Sequence, residues 1–88
     1  MAAVRTYCQR PGLDTRIVDG EAFVITRTTI QHLNPVATLI WLAIETPATH
    51  RDITALLCEF YPAVPRRQLS ADLSRSLKDL RRMGIVTA

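Results

Sequence analysis

The chain has 88 residues, 48% of them hydrophobic and 22% charged, with a net charge of +3 from eleven basic and eight acidic side chains. This length supports one small core, and this composition belongs to a folded domain, so a multidomain architecture and a disordered tail are both excluded. A chain of this size rarely holds a substrate pocket, a catalytic set and a core together, which favours a binding module or a subunit of a larger assembly.

The first thirteen residues have no clear period and contain the turn dipeptide Pro11–Gly12. They are expected to form a flexible N-terminal arm (residues 1–13), with the folded domain spanning residues 14–88. Thr15–Val18 and Ala22–Thr26 flank Asp19–Gly20, a hairpin dipeptide, and read as paired strands. A second tight turn at Arg27–Thr28 leads to a third strand over Thr29–Leu33. Imperfect alternation leaves open which of its side chains face inward.

Leu33–Asn34–Pro35 is a helix start, because Asn caps free backbone N–H groups and Pro fits the first turn. This helix runs to about Glu45, with Ala37, Ile40, Trp41 and Ile44 on one stripe. Trp41 is therefore assigned to the core and not to ligand stacking. A second helix starts at Thr49, with Asp52 completing a capping box and Ile53, Leu56, Leu57 and Phe60 as its buried stripe. After Pro62 and Pro65 the last helix covers about Arg66–Met83. Gly84 gives it a left-handed stop, and Ile85–Val86 fold back onto the core. The predicted fold is α+β and winged-helix-like, a three-stranded antiparallel sheet followed by three helices.

The charge is concentrated at the end. From Pro62 to Ala88 six bases face two acids, a net +4 that leaves the preceding 61 residues at −1. On the last helix Leu69, Leu73, Leu77, Leu80 and Met83 share one side at 100° per residue. Arg67, Arg75, Lys78, Arg81 and Arg82 gather on a neighbouring arc, and Asp72 and Asp79 lie on the other flank. Ser70 and Ser74 sit at the seam between leucines and bases, where small side chains leave room for something to pack. The basic arc suits an anionic partner or, equally, a solvated face. Asp72 with Arg75, and Asp79 with Arg82, are spaced to pair within the helix.

Several chemistries are not represented. There is no Gly-rich phosphate loop and no nucleophilic triad in a recognised context, so neither catalysis nor a cofactor is expected. His32, His50, Cys8 and Cys58 have no metal-ligand spacing. Cys58 reads as a small buried apolar residue and His50 as solvent-facing. The longest apolar run, Val36–Ile44, is interrupted by Thr38 and falls short of the roughly 18–20 residues of a membrane span. With no secretory pattern and only two cysteines, a reduced cytoplasmic setting without membrane contact is expected.

The joint pattern resembles the PqqD-like family, the peptide-binding modules called RiPP recognition elements. The resemblance is carried by Ala22–Val24–Ile25, Leu33–Asn34, Ala37 and Ile40–Trp41, then Thr49, Asp52–Ile53, Leu57 and Phe60. It closes with Asp72–Leu73, Leu77, Leu80 and Gly84–Ile85–Val86, and covers about Pro11 to Val86. Family members often carry Gly in the turn where this chain has Arg27–Thr28–Thr29, and a polar residue where it has Pro35.

The resemblance implies a non-catalytic module that binds the leader of a ribosomally made precursor peptide. It would deliver that precursor to a modifying enzyme: a radical SAM enzyme, a peptidase or a cyclase. It also implies strand addition to the third strand, against the last helix. An exposed strand edge offers unpaired backbone groups for such pairing. The candidate edge is Thr28, Thr29, Ile30, Gln31 and His32. The candidate wall is Arg67, Ser70, Ser74, Leu77, Lys78 and Arg81. If the opposite border of the helix faces the strand, Gln68, Asp72 and Ser76 form the wall instead.

The alternative function is a winged-helix DNA binder using the basic last helix. The two prolines in Tyr61–Pro65, and the shortage of Asn and Gln for base reading, weigh against it. Dimerisation through a sheet edge is left open.

Overall fold

The computed structural model describes residues 4–87. Its elements run β1 (Thr6–Gln9), β2 (Asp14–Val18), β3 (Glu21–Ile25), β4 (Ile30–His32), α1 (Pro35–Ala43), β5 (Ala48–Thr49), α2 (His50–Phe60), α3 (Arg66–Arg82) and β6 (Val86–Thr87). The fold is α+β, with an antiparallel β2-β3-β4 sheet followed by three helices.

Local chemistry sets most boundaries. Asp19 and Gly20 have φ of 51° and 78°, so the two-residue loop between Val18 and Glu21 has the paired positive φ of a type I′ hairpin turn. The next turn lacks glycine. There the Thr26 hydroxyl accepts from the N–H groups of Thr28 (3.3 Å) and Thr29 (2.9 Å), replacing the conformational freedom of Gly with side-chain hydrogen bonds. Asn34 Oδ1 accepts from Ala37 N–H at 2.8 Å and caps α1. Thr49 and Asp52 make a reciprocal capping box on α2. Helix α3 ends in a Schellman motif: Gly84 (φ 78°) donates to Arg81 and Ile85 donates to Leu80.

The core lies between the inner face of β2-β3-β4 and the three helices. Ala22, Val24, Leu33, Ile40, Trp41, Ile53, Leu57, Leu73, Leu80 and Ile85 are buried in it. Trp41 is fully buried, as expected, and its Nε1–H donates to the Thr15 hydroxyl at 2.9 Å. Thr38, which interrupts the apolar run, is buried with both hydrogen-bonding functions used. It accepts from Ala22 N–H (2.8 Å) and donates to the Leu33 carbonyl (3.2 Å), clamping α1 to the sheet.

Three expectations are corrected. Within the supposed arm, Thr6–Gln9 forms β1, the centre of a second small sheet ordered β5-β1-β6. It pairs Thr6 with Thr49 and Cys8 with Thr87, and Gln9 Nε2 donates to the Trp41 carbonyl. Residues 1–3 of that arm lie outside the described residues. Phe60 is exposed, because α2 ends there and Tyr61 and Val64 pack against the core instead. Met83 leaves the leucine stripe and is partly exposed at the end of α3.

Candidate functional site

Strand β4 is an edge strand, paired with β3 on one side only. The bonds Leu33 N–H to Ala22 (2.8 Å) and Thr26 N–H to Thr29 (2.9 Å) fix the phase of the ladder. Bonded and non-bonded pairs alternate in an antiparallel sheet. With Phe23 opposite His32, Val24 opposite Gln31 and Ile25 opposite Ile30, the backbone groups of Ile30 and His32 point away from β3. They are the groups a further strand would meet.

The side chains of Ile30 and His32 share the outer face of the sheet with Ile25 and Phe23. Ile30 is 67% exposed. The His32 ring packs on Phe23 with centroids 4.9 Å apart, and its Nε2 lies 3.0 Å from Glu21 Oε1. Gln31 takes the inner-face direction of Val24 at the edge of the core.

Two concavities line this edge. One, of about 360 Å³, is bounded by the Thr26–Thr29 turn, Gln31, Met83 and Gly84, with Arg10 and Arg27. The other, of about 120 Å³, is bounded by His32, Leu33, Asn34 and Ala37 against Ser76, Asp79, Leu80 and Met83. Met83 lines both. Arg10 reaches the first because its N–H donates to the Ile85 carbonyl at 2.8 Å, extending the β1–β6 ladder. Neither Arg10 nor Arg27 has a carboxylate within 4 Å among the described residues. The groove is therefore cationic at the turn end, apolar at Met83 and anionic at Asp79, which is itself 3.8 Å from Arg82. The expected Asp72–Arg75 pair is also formed.

The border of α3 that faces β4 is thus the one carrying Ser76, Asp79 and Met83. The wall first assigned lies elsewhere. Ser74 Oγ is 2.9 Å from His50 Nε2, so its border faces the start of α2, and Ser70 lines a cavity there. Arg67, Lys78 and Arg81 are exposed on that same border, away from the strand. Leu77 is 2% exposed and belongs to the core. His50 is half-buried between Ser74 and Thr54 and lines that same cavity. Of the candidate set, Thr28, Thr29, Gln31 and His32 line the two concavities and Ile30 offers backbone beside them. Of the opposite-border alternatives, Ser76 lies in the groove, whereas Gln68 and Asp72 line a separate hollow near Val36 and Tyr61.

Residues 19–86 match the family model described as Coenzyme PQQ synthesis protein D (PqqD). No curated protein matches the chain. Among solved structures, the fold is similar to that of TbiB1 in complex with the TbiA(beta) leader peptide, with a TM-score of 0.82 at 22% identity. That match covers 92% of this chain and 95% of the other. It is also similar to the solution NMR structure of the PqqD truncation of Methylobacterium extorquens PqqCD, described as a stand-alone RiPP recognition element. There the TM-score is 0.79 at 14% identity, covering 98% of this chain and 96% of the other.

Proposed function

Because the chain belongs to the PqqD family, we propose that it binds the leader of a ribosomally synthesised precursor peptide and delivers it to a modifying enzyme. The leader adds as a strand to β4 and lies in the groove against α3. The chain supplies recognition, and the radical SAM enzyme, peptidase or cyclase that receives the precursor supplies the chemistry. The observation that carries this reading is the outward-facing backbone of Ile30 and His32 beside a groove floored by Met83.

Magnitudes divide the work between backbone and side chains. Two outward-facing residues offer about four main-chain bonds, worth about 2–6 kcal/mol at 0.5–1.5 each. A micromolar complex needs about 8 kcal/mol. Side-chain anchors supply the remainder: an apolar leader residue on Met83 and an acidic one toward Arg10 and Arg27. The family resemblance and the TbiB1 complex both support a peptide as the ligand.

The test is an amide NMR titration with the leader of a short open reading frame encoded beside this one. Shifts at Ile30, His32 and Met83, saturating with the leader, are expected. A leader that moves the Ser70–Ser74 border and leaves β4 unchanged would refute strand addition at this edge. Duplex DNA binding whose affinity falls steeply with salt, together with no response to leader, would return the winged-helix DNA reading.

A further inference from the structure

A wider concavity than either of those on β4 lies elsewhere. It is an open cavity of about 720 Å³ where the segment before β1 meets the first turns of α2 and α3. Three arginines from these three places, Arg5, Arg51 and Arg66, line it with His50. None of the three has a carboxylate within 4 Å among the described residues. No acidic residue lines the cavity. Asp52 bonds the Thr49 N–H in the capping box, and the acids of α3 are on its other flank. The positive potential is therefore not cancelled locally, and Arg67, Lys78 and Arg81 extend it along the same border of α3.

The remaining wall is mixed, with Val4 and Tyr7 forming an apolar part beside the hydroxyl residues Thr49, Thr54 and Ser70. Val4 is 75% exposed, and Tyr7 stands beside it with the Arg5 guanidinium 5.4 Å from its ring centroid. We propose that this cavity docks an acidic segment of a second protein, with carboxylates on Arg5, Arg51 and Arg66 and an apolar side chain on Val4 and Tyr7. Arginine forks match carboxylates in two-point geometry. A free phosphate would fill a small part of the space and leave the apolar part wet. Duplex DNA would meet the arginines through its phosphates and leave Val4 and Tyr7 uncovered.

The cavity and the β4 groove lie on opposite borders of α3, so both can be filled at once. A partner held on the basic side leaves the groove open for a leader. Assigning that partner as the enzyme receiving the leader rests on the function proposed above; the docking site itself does not.

The test uses the full chain and, as probe, the acetylated peptide amide Glu-Glu-Leu-Glu-Glu-Phe, followed by amide NMR. Inorganic phosphate and a short DNA duplex are titrated in parallel. Expected are saturable shifts at Arg5–Tyr7, Thr49–Arg51 and Arg66–Ser70, weakened about tenfold in the exposed double variant Arg51→Glu, Arg66→Glu. A dispersed spectrum controls for folding of that variant, with Arg51→Gln alone as the milder second variant. Shifts absent from these amides, or unchanged in the variants, overturn the proposal. So does an equal response to phosphate alone, which would mark a small-anion site, or tighter binding of DNA. Leader binding is read separately at Ile30, His32 and Met83, so failure of either site is distinguishable from failure of the other.

Discussion

Helix α3 has two borders, and they differ in charge, in neighbours and in what they can bind. The border carrying Ser76, Asp79 and Met83 faces β4 across a groove whose other wall is a strand edge with two outward-facing backbone units. The border carrying Arg67, Ser70, Ser74, Lys78 and Arg81 faces the start of α2, where Ser74 meets His50 and arginines line a wider cavity. The first offers directional main-chain bonds and little net charge. The second offers charge and the apolar side chains of Val4 and Tyr7, with only the two-residue edge strand β5 beside it. One amphipathic helix thus separates a groove beside a free strand edge from a basic surface with a wider cavity.

The comparison breaks most readily at the strand. Ile30→Pro removes an outward N–H and places a ring on the free edge, while the ladder to β3 loses nothing, because Ile30 and Ile25 form a non-bonded pair. Leader binding should fall below detection in calorimetry, with loss of most of the about 2–6 kcal/mol of main-chain pairing. Circular dichroism should report an unchanged fold. Retained binding would show that the leader does not use this edge.

The next effect acts on the scaffold that sets the groove. Thr38→Val leaves the Ala22 N–H buried without a partner and releases the clamp between α1 and the sheet. Urea unfolding should show a loss of about 1–3 kcal/mol. Leader affinity measured well below the transition should change less than stability does, because Thr38 does not line the groove.

The contrast between what could and could not be read in advance follows the range of the interactions. The Asp19–Gly20 hairpin, the Asn34 cap, the Thr49–Asp52 box and the Gly84 stop depend on neighbours within a few residues, and all four form as expected. The Arg27–Thr28 turn forms without glycine because Thr26 supplies the missing hydrogen bonds, a substitution also local in kind. By contrast β5 and β6 are two residues long and carry no period, and β1 exists only because Thr6 meets Thr49 and Cys8 meets Thr87. The wheel of α3 separates two borders correctly and cannot tell which one faces β4. That choice is made by contacts distant in sequence, such as Ser74 with His50. Arg10 is missed for the same reason: only the β1–β6 ladder brings it to the groove. Met83 is missed because the leucine stripe continues to it on paper, whereas the helix ends there and turns it toward the strand.

Two smaller effects sharpen the assignment of the borders. Met83→Ser removes the apolar floor shared by the two concavities. Since Met83 is already about two-thirds covered, the remaining burial on binding is worth about 1 kcal/mol, or roughly fivefold in Kd. The change should appear in calorimetry with no loss of helix, because a serine fits the end of α3.

The smallest expected effect is the most informative about the comparison. Lys78→Glu with Arg81→Glu reverses two exposed charges on the border away from β4. Exposed pairs contribute about 0.2–1 kcal/mol at contact, and beyond a Debye length of about 8 Å at physiological salt the field is largely screened. Leader affinity should therefore stay within about twofold at that salt. It should fall somewhat more for an acidic leader at low salt, where the screening length grows. A loss matching or exceeding that of Met83→Ser at physiological salt would place the leader on the basic border and reverse the roles of the two faces. An unchanged Kd, combined with weakened capture of the acidic probe peptide, would separate them as two binding surfaces on one helix.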